Sequence, residues 1–209
     1  FTLLGILLLL LTGVILVSAF QRLSLYEAAY GFTRDRLVAH IFMIFIGLAL
    51  VVSIILEATR GLKHMALSLL LGLLAFSMTL TFVNVDATIA RQNLEHAIAG
   101  HPLDAAYLAG MTISEDAVPE LFRYFDSGKL SPELHEELGD VISCRRARYW
   151  DRWYYNRFWA SQHASRAKAL ELYQAHQQAL DPFALIGYQE GSGYDFPDGR
   201  VICVYPPEE

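Results

Sequence analysis

Between two long apolar runs the chain carries QRLSLYEAAYGFTRDRL, Gln21 to Leu37. A minimal link between two membrane spans would be a short polar turn, yet this one holds two tyrosines, a phenylalanine and several charges. Flanking it, Phe1 to Phe20 has no charged residue, and Leu37 to Leu56 has only His40 as an ionisable group. A third run, Met65 to Val83, has none. About 20 residues rising about 1.5 Å each cover the roughly 30 Å hydrocarbon core of a bilayer. In the first run 14 of 20 residues are Leu, Ile, Val or Phe, each gaining at most about 0.3–0.6 kcal/mol on insertion. Three such runs in succession read as three membrane spans.

The link itself reads as an amphipathic elbow over residues 22–36. At helical spacing Leu23, Tyr26, Tyr30, Thr33 and Leu37 share one side, with Arg22, Glu27 and Arg34 elsewhere. SLYE has the form of a capping box, Ser24 accepting from the Glu27 N–H and the Glu27 side chain reaching back. Gly31 supplies a left-handed stop and Thr33 a cap for the next helix. Tyrosine suits the head-group depth, and Arg22, Arg34 and Arg36 can snorkel to it. The expectation is a short helix lying in the interface, with Arg22, Tyr26, Glu27, Tyr30, Arg34 and Arg36 as membrane-interface residues.

LYEAAYGFTRDRL followed by AHIFMIFIGLAL resembles the signature of an uncharacterised bacterial multi-pass membrane family, a domain of unknown function. NVDATIARQN (Asn84, Asp86, Ile89, Ala90, Asn93), LDAAYL (Leu103, Asp104, Tyr107, Leu108) and SEDAVPEL (Ser114, Asp116, Ala117, Val118, Pro119) extend the resemblance. It covers about Arg22 to Leu121 and departs from the pattern at Asp35. It implies further spans upstream and a bacterial cell membrane, and it implies no reaction. The first residues already lie inside a span without a basic leader, so the chain reads as the C-terminal piece of a longer multi-pass protein.

Charge divides the chain at the same place as hydropathy. Up to His64 there are five basic and three acidic residues, a net of +2; from Asn84 onward there are 11 and 19, a net of −8, and the two give the total of −6. The expected organisation is a transmembrane segment 1–83 (spans about 1–20, 37–56 and 65–83) and a helical membrane-proximal tail 84–209. In the tail Asp86 caps a helix to about Ala99, Leu103 to Ala109 makes a short one, and Ser114 and Ser131-Pro132 start two more, the last running to about Leu180. Gly187 through RVICVY reads as a small hairpin. The fold class is therefore an all-α membrane protein with three transmembrane helices, an interfacial elbow and a mainly helical soluble tail ending in a small β-hairpin.

Two further surfaces stand out. Ser68, Gly72, Ala75 and Thr79 form a strip of small residues, which lets another helix approach closely in lipid or serves ordinary packing within the bundle. RRARYWDRWYYNRFW, Arg145 to Trp159, holds five arginines and seven aromatics. Arg145, Arg148 and Arg152 fall on one side, with Trp150 and Trp153 opposite. That reads either as a docking surface for lipid or protein, or as an aromatic core face with a solvated arginine face. The acidic tail argues against a nucleic-acid partner. Catalytic signatures are incomplete: HEELG has Gly139 where a zinc helix needs its second His, and Ser192 lacks the G-x-S-x-G frame. No catalytic, cofactor or metal residues are assigned. Glu57, Arg60 and His64, with Asn84 and Asp86, read as caps and snorkelling groups or as a polar entrance. Cys144 and Cys203 pair if the tail faces an oxidising compartment and stay as thiols otherwise.

The elbow and tail share a side, because two spans separate them. Arg22, Arg34, Arg36 and Arg91 there against Arg60 and Lys63 opposite lean towards a cytoplasmic tail. The functional expectation is a non-enzymatic scaffolding, assembly or sensing protein of the bacterial inner membrane. Its partners are the bilayer and either another protein or other spans. The rival is part of a transporter or membrane enzyme whose working residues lie in upstream spans.

Overall fold

The computed structural model describes residues 2–59, 61–110, 112–155, 164–183, 186–189 and 193–195. The chain forms two compact units, Phe1–Val85 and Asp86–Glu209.

The first unit consists of three long helices: α1 (Thr2–Tyr30), α2 (Arg34–Ala58) and, after a 3-10 turn at Leu62–His64, α3 (Met65–Phe82). All three are long and apolar enough to cross a membrane, and the most apolar stretch of each has no buried side chain within the chain. α2 packs against both neighbours. Phe76 of α3 meets Phe42 and Phe45 of α2 edge-on at 5.6 and 5.5 Å. Lower down, the Ser53 hydroxyl donates to Ala49 O (2.7 Å) and lies 3.6 Å from Met65 Sδ.

The elbow differs from the expectation. Residues 21–30 are not a separate helix but the last turns of α1, which runs unbroken for 29 residues, about 43 Å at about 1.5 Å per residue. The SLYE capping box does not form: Ser24 Oγ donates to Phe20 O at 3.0 Å inside the continuing helix. The reason is local. Gln21 to Tyr30 contains no Gly or Pro and several strong helix formers, so a break would sacrifice backbone bonds for one side-chain cap. Gly31 does stop the helix, at φ +75° with its N–H on Glu27 O (2.9 Å). Thr33 is extended ahead of α2 but makes no side-chain cap; Arg34 and Arg36 belong to the first turn of α2.

The second unit contains α4 (Val85–Ile98), α5 (Ala105–Ala109), a 3-10 turn (Glu115–Ala117), α6 (Val118–Phe125), α7 (Pro132–Tyr155), α8 (Ala164–Ala175), α9 (Gln177–Leu180), a 3-10 turn (Asp181–Phe183) and strands β1 (Ile186–Gln189) and β2 (Gly193–Asp195). Several of its helix starts follow the sequence: Asp104 Oδ1 accepts from Tyr107 N, Ser114 Oγ from Asp116 N, and Ser131 Oγ from Leu134 N. The helical pattern expected to run to about Leu180 is instead interrupted at His176, between α8 and α9. Asp86 departs from expectation, since α4 already begins at Val85. Its carboxylate instead reaches Ser114 N at 2.9 Å, tying α4 to the loop before α6. α7 packs on α5 and α6, and α6 on α8, around Ile89, Leu94, Leu108, Leu121, Phe122, Leu138, Val141, Ile142 and Tyr173. The two strands pair antiparallel, with Tyr188 opposite Tyr194 and Gln189 opposite Gly193. The hairpin thus comes earlier than RVICVY, which lies outside the described residues.

Candidate functional site

Ionisable groups buried in an apolar bundle are the first place to look for function, because the bilayer makes them expensive. The membrane unit has one such cluster among the described residues. Glu27, three residues before the end of α1, has a side chain only 5% exposed, and its Oε1 lies 2.8 Å from Nδ1 of His40 on α2, 14% exposed. The other ring nitrogen, Nε2, is 3.3 Å from Ser24 Oγ. The His40 ring rests on Phe20 at 4.4 Å, and Arg36 Nη1 donates to Gly31 O at 2.8 Å across the turn. The cluster arises because Ser24, Glu27 and Gly31 recur at spacings of three and four on one face of α1. Only a tight turn then brings the second turn of α2 alongside.

Serine, imidazole and carboxylate are linked in the order used for acyl transfer. Here, however, Ser24 sits in the interior of a continuous helix that consumes the N–H groups of Ser24 and Leu25, leaving none there to hold an oxyanion. If Ser24 gives its proton to Phe20 O, His40 Nε2 must donate to Ser24. One further proton then lies between Nδ1 and Glu27, whichever of the two carries it. The arrangement clasps α1 to α2 through a hydrogen bond between two largely buried polar groups.

The arginines of the tail form the second concentration of polar chemistry. Arg145 and Arg148 are buried, at 4% and 8% exposure. The Arg145 fork donates to Leu108 O (2.9 Å), Gly110 O (3.5 Å), Ile113 O (3.1 Å) and Ser114 O (2.8 Å), with the Glu115 carboxylate 3.7 Å away. Arg148 Nη1 donates to Ala109 O. Together they satisfy carbonyls at the end of α5 and in the loop beyond it, which that five-residue helix cannot pair itself. Tyr173 Oη donates to Glu115 Oε2 at 3.4 Å; burial, reinforced by the Glu115 charge, pushes its hydroxyl far above the usual tyrosine range.

Residues 1–124 match the profile of the family described as a domain of unknown function, DUF4153. The chain belongs to that family. No curated protein and no solved structure matches it. The DUF4153 segment contains the whole membrane unit and α4 to most of α6, so the clamp joins DUF4153 carbonyls at 108–114 to arginines beyond the matched residues. The motif residues within the segment have structural places. Asp86, Ile89, Ala90 and Asn93 are the buried face of α4, Asp104 and Ser114 are caps, and Ala117 and Val118 are core.

The proposed docking surface is corrected accordingly. Arg145 and Arg148 face the tail's own core because main-chain acceptors, not solvent, are their partners; the side chains of Trp150, Arg152 and Trp153 lie outside the described residues. Of the elbow residues, Tyr26 and Tyr30 are exposed and stack at 6.0 Å, Arg22 and Arg34 are exposed, and Glu27 is not a surface group at all. On α3, Ser68, Gly72 and Thr79 are half-buried and Ala75 exposed. A Cβ on Gly72 would meet nothing within 4 Å, so the strip makes no close helix contact inside the chain there. Glu57 packs against Gly5 of α1, His64 is exposed, Arg60 lies outside the described residues, and Asp86 serves the tail. Gly139 has a packing reason: a Cβ there would stand 2.5 Å from the Phe183 ring. Sequence reasoning overlooked the Glu27–His40 pair. Its only signal was a carboxylate and a histidine on either side of a tight turn, at the margins of two spans.

Proposed function

We propose that this protein is a non-enzymatic assembly or sensing module of a bacterial cell membrane, with its spans packed among lipid and other spans and its tail presenting a folded acidic surface to a protein partner. The observation that carries this reading is the self-contained tail. Its buried arginines are spent on its own carbonyls, and its outward charge is acidic, with Glu133, Glu136 and Glu171 all exposed. In the apolar unit, α1 is about 13 Å longer than a roughly 30 Å hydrocarbon core requires. That length supports placing exposed Tyr26 and Tyr30, with Arg22 and Arg34, at head-group depth.

The test is cross-linking of the full-length protein in mild detergent, mapped by mass spectrometry. A stoichiometric partner cross-linked to α7 or α8, and lost on changing Glu133 and Glu136 to Lys, supports docking; a particle free of protein partners refutes it. Lipid-attached quenchers test the elbow through single Trp reporters at positions 26 and 30. Quenching no greater than for a water-exposed control would remove the interfacial assignment.

The buried Glu27–His40 pair favours a second reading, a transporter or membrane enzyme in which this hairpin is one wall. Reconstituted flux or turnover abolished by Glu27→Gln and His40→Gln, in protein that remains folded, would select it.

A further inference from the structure

His176 stands where the helix breaks between α8 and α9, and its ring is held from two sides. Nδ1 lies 2.9 Å from Leu172 O, one turn back on α8, and Nε2 lies 3.0 Å from Oδ2 of Asp126, the residue that ends α6. The ring rests on Phe122 of α6 at 4.4 Å. A carbonyl and a carboxylate accept hydrogen bonds and have none to give. Both nitrogens therefore donate, and a ring that donates twice is an imidazolium. A neutral ring would turn a lone pair on one of these two oxygens at the same short distance. His40 has a way out that His176 lacks, because the hydroxyl at its second nitrogen, Ser24 Oγ, can accept or donate. The place just past the last turn of α8 also favours a cation, since the helix dipole is negative there.

We propose that His176 is a proton-held latch: doubly protonated, it locks the α8–α9 junction onto the end of α6, and loss of one proton releases the junction. What the latch holds is the segment that follows. Leu180 of α9 is fully buried, and the Phe183 ring meets Phe125 of α6 at 6.0 Å and closes over Gly139 of α7. The other titratable groups on the elements packed there are engaged elsewhere. On α6 Arg123 pairs with Glu120, and on the 3-10 turn before it Glu115 takes the Tyr173 hydroxyl and Asp116 that of Ser114. The His135 ring of α7 stacks on Phe125 at 4.2 Å, Lys168 and Glu171 pair within α8, and Asp181 is exposed. Asp126 is the charge that meets the ring. The latch is closed where Asp126 is a carboxylate and His176 carries both protons. It opens as pH rises through the range in which histidines lose their charge, roughly pH 5 to 8. This deepens the sensing role proposed above by naming a stimulus, pH on the tail's side of the membrane; the output rests on that role and the latch does not.

The test is hydrogen exchange by mass spectrometry on the full chain in nanodiscs, read over residues 172–183 at about pH 5.5 and about pH 8 with intrinsic exchange rates divided out. Asp126 is 51% exposed, so the bond carries a modest factor, and protection should fall about five-fold from the lower pH to the higher. An amide can donate to a neutral ring, so Asp126→Asn should keep its protection at both pH values. His135→Phe preserves the stack on Phe125 and should respond as the wild type does. Wild-type exchange that is the same at both pH values overturns the proposal, as does an Asp126→Asn chain that loosens like the wild type. A response abolished by His135→Phe overturns it too, by giving the proton to the other histidine. No partner is present in the measurement, so failure here is distinguishable from failure of docking.

Discussion

Truncating Arg145 to Ala is the sharpest probe of the tail. The side chain is 4% exposed and its two terminal nitrogens serve the carbonyls of Leu108, Gly110, Ile113 and Ser114. Alanine leaves at least two of these buried acceptors without a donor, at about 1–3 kcal/mol each, and leaves Glu115 without its nearby cation. Water entering the gap relieves part of this, so the expected loss is about 3–5 kcal/mol. Lysine keeps the charge but lacks the planar fork, and should lose an intermediate amount. Arg123→Ala is the control: its partner Glu120 is one helical turn away and the arginine is 56% exposed, worth under about 1 kcal/mol. The assay is hydrogen exchange by mass spectrometry on the chain in nanodiscs, read over residues 105–117. With about 1.4 kcal/mol per decade, exchange should accelerate from about a hundred- to several-thousand-fold. An Arg145→Ala protein that exchanges like Arg123→Ala would refute the clamp. The same result bears on docking experiments, since charge reversal at Arg145 and Arg148 should unfold the tail rather than bare an interface.

Gly139→Ala drives a methyl into the Phe183 ring and should cost about 1–3 kcal/mol by the same exchange measurement. In a Phe183→Ala background the added cost should nearly vanish, and an undiminished cost would disprove the contact. Removing His40 as Ala leaves the buried Glu27 carboxyl without its partner, about 1–3 kcal/mol seen as faster exchange over residues 27–37, whereas Glu27→Leu with His40→Leu should recover most of it. Equal exchange in all three proteins would sink the clasp. Because Tyr173 holds its proton more tightly folded than unfolded, its contribution to stability is complete below the ordinary tyrosine value of about 10. That contribution is lost as pH rises beyond it. Near-ultraviolet difference spectra should show alkaline loosening of the tail that Tyr173→Phe diminishes; an unchanged profile in Tyr173→Phe would rule this out.

Composition and periodicity alone determined the three spans, the acidic helical tail and most helix termini, because each depends on residues within a turn or two of one another. Gly31, Asp104, Ser114 and Ser131 do locally what their types favour. The motif positions Asp86, Ile89, Ala90 and Asn93 carried only a resemblance in the sequence, and the fold makes them the buried face of α4. What tertiary structure decided were the partners of long polar side chains. An SLYE capping box and a continuous helix are both allowed by the sequence, and the unbroken hydrogen-bond ladder of α1 wins. Arginines at 145 and 148 suit a solvated face equally well until unpaired carbonyls at 108–114 fold against them. Glu27 and His40, 13 residues apart, become a pair only when the chain reverses at Gly31, because a buried charge takes its partner from whichever element the fold brings within 3 Å or so.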